Sequence, residues 1–172
     1  MGTITAQQGA GLSDKVYNDL SSYVGTKKTV SDGFGGLYTV SAFYTDPSTD
    51  LQMALLQVGT TYVVAFRGTY SWTDAGTDLQ MGVSTITSTL ADQFISASTT
   101  FSMWEALYGL STNNTTIVGH SLGGSLAQYF GADGFTTLTY NAYGVSNMSQ
   151  VGGNSRNIPN YPLHVTQTKE VT

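Results

Sequence analysis

Residues 115–131 constrain the fold of this chain more than any other segment. They read TTIVGHSLGGSLAQYFG, which is a β-branched run, a glycine-flanked turn at Ser121 and a helix-forming sequence. Ile117 and Val118 are typical of a buried strand, and Leu122 and Leu126 recur at helical spacing. The segment therefore predicts a strand that turns directly into a helix, with Ser121 at the turn.

A serine at such a turn has the context of a nucleophile elbow. Gly119 and Gly123 flank it at two residues on either side, where a Cβ would crowd the closely approaching strand and helix. The helix begins at the serine, so its unpaired N–H groups and its dipole point to the place where an oxyanion would form. His120 is expected to point away from the nucleophile and to support the turn. The alternative is a glycine-rich turn without chemistry.

A second segment, residues 61–79, begins with an apolar run typical of a central strand and breaks at Gly68. An oxyanion hole in this kind of fold takes one N–H from the residue after the nucleophile and one from an earlier loop that follows a strand. Leu122 and Thr69 are the two residues in those positions. Arg67 is interpreted as a structural cation that holds loops together.

The pair VAFRGT (64–69) and GHSLGG (119–124), in this order, resembles the class 3 lipases over residues 12–160. The resemblance implies an α/β-hydrolase fold, with a mostly parallel central sheet and helices on both faces. It implies a lipid ester substrate, contact with a lipid–water interface, and Ser121 as nucleophile with Thr69 and Leu122 as oxyanion donors. Asp78 would accept a hydrogen bond from the Thr69 hydroxyl; the alternative for Asp78 is a solvated loop carboxylate or a helix cap.

The base and the acid of a catalytic triad are harder to place. In this fold their order is Ser, then Asp or Glu, then His, whereas the only free histidine after Ser121, His164, precedes the late carboxylate Glu170. Asp133 is expected to end the helix after the elbow. We therefore expect one partial domain over residues 1–172, without the last strand or strands and the last helix, and with acid and base beyond Thr172. A divergent protein that has lost its triad is the alternative.

Composition excludes several other classes. A net charge of −5 argues against nucleic-acid binding, and no apolar run reaches membrane-spanning length. Cysteine is absent, and the two histidines are far apart, so neither a metal site nor a cofactor is expected. The first residues lack the basic and apolar regions of a cleaved signal peptide, so we expect secretion without one, or a cytoplasmic location.

The remaining patterns predict the other elements and leave three functions open. A helix is expected over 12–23, with one face formed by Val16, Tyr17, Leu20 and Tyr23. A longer helix is expected over 87–110, with a core-facing stripe of Leu90, Phe94, Ala97, Phe101, Trp104, Leu107 and Tyr108. Strands are expected over 37–45, over 51–58 and 61–66 as a hairpin across Gly59-Thr60, over 136–145 with its exit loop, and over 162–171. A triacylglycerol lipase-like hydrolase is favoured; a non-catalytic lipid-binding or partner-binding protein and a phospholipase A1 or other esterase are the alternatives.

Overall fold

The computed structural model of the chain describes residues 4–68, 88–140 and 142, with backbone alone for residues 88–91. Within these ranges lie three α-helices, α1 (Ala6–Lys15), α2 (Ser88–Tyr108) and α3 (Leu122–Gly131), and a short 3-10 helix (Ser21–Tyr23). The strands are β1 (Thr29–Ser31), β2 (Leu37–Asp46), β3 (Leu51–Val58), β4 (Thr61–Phe66), β5 (Thr115–His120) and β6 (Thr136–Tyr140). None of the helices in these ranges is both long and apolar enough to cross a membrane.

The six strands form one mixed sheet in chain order, from β1 to β6. Strands β1 to β4 pair as an antiparallel meander, and the predicted hairpin across Gly59-Thr60 is present, with Val58 opposite Thr61. Strands β4, β5 and β6 are parallel to one another. Since the carboxyl ends of parallel strands meet at one edge, β4 and β5 bring Gly68 and Ser121 to the same side of the molecule.

Helices cover both faces of the sheet, as expected for the fold. Residues of β4 alternate between two cores: Val63 and Ala65 pack with α1, whereas Val64 and Phe66 pack with α2 and α3. A central strand that is buried on both faces needs apolar side chains at successive positions, and β4 has four of them in its buried part, from Val63 to Phe66. The α1 side is further filled by Leu12, Val16, Leu56 and Val118, and the other side by Phe94, Phe101, Ile117, Leu126 and Phe130.

The prediction for the first helix was wrong in its bounds. The helix begins at Ala6, because Thr5 and Gln8 form a capping box: the Thr5 Oγ1 accepts from the Gln8 N–H, and the Gln8 Oε1 accepts from the Thr5 N–H. It ends at Lys15, so Tyr17 lies beyond it in the connection to the 3-10 helix. The apolar residues expected on one face of this helix are thus partly loop residues.

The long helix was predicted well, with one exception in its buried stripe. Phe94, Ala97, Phe101 and Trp104 are all 3% exposed or less. Leu107, predicted on the same stripe, is 69% exposed, whereas the next residue, Tyr108, packs against the core. The side chain of Leu90, also predicted there, lies outside the described residues.

Candidate active site

Ser121 is the single residue between β5 and α3, and its backbone is strained. Its φ is 56° and its ψ is −125°, a backbone conformation that residues with a Cβ rarely adopt. Hydrogen bonds hold it on both sides: the Ser121 N–H donates to the Tyr140 carbonyl at 2.9 Å, and the Ser125 N–H donates to the Ser121 carbonyl at 3.2 Å. The strand-to-helix turn therefore fixes Ser121 at the carboxyl edge of the sheet.

Two glycines make this turn sterically feasible. A Cβ on Gly119 would collide with the carbonyl of Gly123, and a Cβ on Gly123 would collide with the carbonyl of Phe66. In both cases the obstacle is backbone, which cannot rotate away as a side chain can. Only glycine fits at these two positions, because β4, β5 and α3 approach one another so closely.

Gly68 brings the end of β4 against the nucleophile. A Cβ built on Gly68 would lie 2.9 Å from the His120 carbonyl oxygen, 3.4 Å from the Ser121 Cβ and 2.8 Å from the Tyr17 Oη. Leu122, one predicted oxyanion donor, is the first residue of α3 and is 1% exposed. Thr69, the other, and Asp78, its predicted partner, lie outside the described residues.

The His120 side chain is half-buried and lies against the α1 side of the sheet. Its Nδ1 is 3.4 Å from the Tyr17 Oη, and the two rings meet edge-on. Burial lowers the pKa of His120, and the nearby Asp14 carboxylate partly opposes that shift. A cavity of about 230 Å³ beside it is lined by Ala10, Ser13, Asp14, Tyr17, His120 and Tyr140.

Tyr17 lies at the candidate site, although the sequence did not predict it there. Its helical spacing with Leu20 suggested a core position, and nothing in the local sequence connects it with Ser121. The structure places its hydroxyl beside His120 and Gly68. The contact with His120 joins residues that are 103 positions apart, so no local pattern could have shown it.

We expect His120 to make the fold less stable in mild acid. Its pKa is lowered from an ordinary value near 6.5, so the unfolded chain binds the proton more readily than the folded chain does. Stability is therefore complete above about pH 6.5 and decreases as the pH falls toward the folded pKa. Urea unfolding of the wild type and of His120→Gln between about pH 8 and about pH 5 measures how the free energy of unfolding depends on pH. The free energy of unfolding of the variant should depend less on pH than that of the wild type; equal pH dependence would contradict the prediction, since the two proteins differ only at position 120.

His164 and Glu170, the in-chain candidates for base and acid, and the predicted strand over 162–171 lie outside the described residues. Asp133 lies in the turn directly after α3, as expected. In the described ranges no group of three or more His, Cys, Asp or Glu side chains is arranged to hold a metal. Three features of the described part could take part in chemistry: the partly buried turn that carries Ser121, the N-terminus of α3 and the end of β4.

Comparison with known proteins identifies the family. A profile of the Tle-like phospholipase domain, of the phospholipase-like group, matches residues 8–161. Among solved structures, lipase from Rhizopus microsporus var. chinensis is 20% identical with a TM-score of 0.57, and the match covers 80% of this chain and 56% of that lipase. Lipase II from Rhizopus niveus is 18% identical with a TM-score of 0.58, and the match covers 80% of this chain and 61% of the lipase.

These likenesses show the fold and its extent. The structural similarity, with TM-scores of 0.57 and 0.58, supports a shared α/β-hydrolase fold, and the chain spans less than two thirds of the length of the lipases it matches. A search among curated proteins gives no significant match. The predicted resemblance to a lipase-like family is confirmed, because one family profile covers most of the chain, including both motifs. The chain belongs to the Tle-like phospholipase domain family.

Proposed function

We propose that this protein is a serine hydrolase that cleaves carboxylic esters of lipids, with Ser121 as the nucleophile. The observation that carries the proposal is the backbone of Ser121, held at positive φ alone between β5 and α3. Strain of this kind persists only where the surrounding structure enforces it, and it is concentrated at functional sites. The family match supports the same class of reaction.

In the proposed reaction the Ser121 Oγ attacks the ester carbonyl carbon and loses its proton to a base. The carbonyl oxygen becomes an oxyanion, which the backbone N–H groups of Leu122 and Thr69 stabilise. The C–O bond to the alcohol then breaks, the alcohol takes the proton from the base, and an acyl ester remains on Ser121. In the second half of the reaction the base takes a proton from water, and the water oxygen attacks the acyl carbon. The bond to the Ser121 Oγ then breaks, Ser121 regains the proton from the base, and the fatty acid is released.

Supporting roles follow from the same arrangement. Gly119 and Gly123 permit the turn, His120 packs beneath it, and Asp78 is proposed to orient the Thr69 hydroxyl. The base must be a histidine if the reaction follows the usual triad, with His164 the in-chain candidate and Glu170 the candidate acid. Neither a metal nor a cofactor takes part in these steps.

Phospholipids are the favoured substrates among lipid esters. The observation that favours them over triacylglycerols is the description of the matching family, a phospholipase domain. The named structural neighbours are lipases, which keeps triacylglycerols as the second candidate. We also propose that the protein acts at a lipid–water interface. Its proposed location is the extracellular space, with the cytoplasm as the alternative.

Labelling with a fluorophosphonate probe followed by peptide mapping tests the nucleophile. We expect the label on Ser121. Release of fatty acid from phosphatidylcholine vesicles, triolein emulsion and p-nitrophenyl esters then ranks the substrates. An unlabelled protein that still binds the vesicles would overturn the catalytic proposal and support a non-catalytic lipid-binding role.

A further inference from the structure

We propose that Gln52 is a positioning residue for Ser121, because its side-chain amide ties together the two segments that flank the nucleophile. One segment is the end of β4 with Arg67 and Gly68, which follow it. The other is the connection around Tyr17. The inference rests on the proposed function and adds a residue that lies outside both sequence motifs.

The Gln52 side chain uses both ends of its amide. Gln52 is the second residue of β3 and is 6% exposed. Its Oε1 accepts from the Arg67 Nη1 at 3.0 Å, whereas its Nε2 donates to the Val16 carbonyl at 2.6 Å and to the Asn18 carbonyl at 3.1 Å. An amide is the side chain that can accept from a cation at one end and donate twice at the other.

Arg67 carries the connection to the end of β4. Its N–H donates to the Gln52 carbonyl at 2.9 Å, and its Nη2 lies 2.5 Å from the Asp50 Oδ1 and 2.9 Å from the Asp50 carbonyl oxygen. The side chain is 12% exposed. Because Arg67 is fixed from both sides, the next residue, Gly68, is held against Ser121.

The other end of the amide holds the backbone on either side of Tyr17. Val16 and Asn18 provide the two carbonyls, so the chain cannot rotate at Tyr17 without losing one of these bonds. The Tyr17 hydroxyl reaches His120 and the same Gly68. Gln52 therefore determines the spacing of two segments that both contact the turn at Ser121.

Such spacing matters because oxyanion donors act only within a narrow range of positions. A misplacement of about 1 Å by a distant mutation can cost about 100-fold in rate. A partial release of Gly68 should therefore lower the reactivity of Ser121 while substrate binding is little changed.

Gln52→Glu is the variant that tests this. The carboxylate keeps an acceptor for Arg67 but loses both N–H donors to Val16 and Asn18. Gln57→Glu is the matched control, since Gln57 lies on the same strand and its amide bonds to the Gly59 carbonyl and the Ser41 hydroxyl, at the opposite end. The rate constant of fluorophosphonate labelling, per folded molecule, should fall about tenfold in Gln52→Glu and stay within about twofold in the control.

Steady-state kinetics on a p-nitrophenyl ester should show a lower kcat with an unchanged KM in Gln52→Glu. A purely structural role would lower the melting temperature and leave the labelling of folded molecules unchanged. Labelling at the wild-type rate would overturn the proposal. If Gln52→Glu does not fold, Arg67→Lys takes its place, because one ammonium cannot reproduce the forked contacts to Gln52 and Asp50; an unchanged labelling rate there has the same meaning.

Hydrogen exchange separates this inference from the proposed function. A wild-type protein that is never labelled refutes the serine hydrolase, but amide exchange still reports on the Gln52 contacts. Exchange in peptides that contain residues 16–18 and 66–68 should accelerate together in Gln52→Glu and not in Gln57→Glu. Unchanged exchange in both peptides would overturn the positioning role, whatever the catalytic result.

Discussion

Replacement of Ser121 by alanine is expected to abolish fluorophosphonate labelling and to lower kcat/KM for ester hydrolysis by a factor on the order of 10⁴ to 10⁶. Alanine removes the oxygen that forms the acyl-enzyme but keeps a Cβ, so the strained backbone is no worse than with serine. Any remaining rate would come from the oxyanion donors, which alone can give about 10³ over water. Initial rates on p-nitrophenyl esters, with melting curves of both proteins, measure the effect.

Ser102→Ala is the control for this substitution. Ser102 is an exposed residue of α2 and makes none of the contacts described for the turn, so the same loss of a hydroxyl there should leave the rate within about twofold of the wild type. Full activity in Ser121→Ala would show that another group is the nucleophile. Equal melting temperatures for all three proteins would show that the lost activity is chemical.

Replacement of Gly123 by alanine is expected to destabilise the protein by about 3 kcal/mol. Alanine is the better helix former by about 1 kcal/mol, so helix propensity alone would predict the opposite sign. The new Cβ would, however, collide with the Phe66 carbonyl and approach the backbone of Arg67 at 2.9 Å. Either α3 moves away from β4, or β4 moves away from the sheet, and both changes displace Gly68 and Ser121. Urea unfolding monitored by circular dichroism measures the loss.

Gly131→Ala provides the comparison within the same helix. Gly131 is the last residue of α3, and a Cβ there would lie 3.0 Å from the Thr137 Cγ2, the end of a side chain that can shift. We expect a change within about 1 kcal/mol. If Gly123→Ala were as stable as Gly131→Ala, the close approach of α3 and β4 would not be the reason for glycine at position 123.

Those parts of the fold that depend on local patterns were predictable from the sequence. The hairpin between β3 and β4 follows from two apolar runs around Gly59-Thr60, and the elbow follows from a strand pattern that becomes a helix pattern at Ser121. The first helix shows the limit. Val16 and Leu20 are buried, but burial did not make them helical, because the capping box at Thr5 starts the helix earlier and the chain leaves it after Lys15.

The motifs located the nucleophile but not the residues that hold its surroundings. Gln52 is one of two glutamines in an otherwise apolar strand, and two of its partners lie 34 and 36 positions away at Asn18 and Val16. Its role depends on how the end of α1 meets β3, which no spacing along the sequence encodes. Arg67 was interpreted as a structural cation, and its contacts with Asp50 and Gln52 show which segments it joins.

The division of the sheet into an antiparallel and a parallel half has a consequence for folding kinetics. Strands β1 to β4 can pair with their neighbours in sequence, whereas β5 pairs with β4 only after a crossover has closed, with Tyr62 opposite Thr115. Loop closure of that length costs entropy before any contact repays it, so non-local pairing is slow. We therefore expect Ser121 to become reactive late in refolding. Trapping by a fluorophosphonate after dilution from denaturant should lag behind the recovery of the circular dichroism signal, and the meander should exist for a time as a scaffold without a nucleophile.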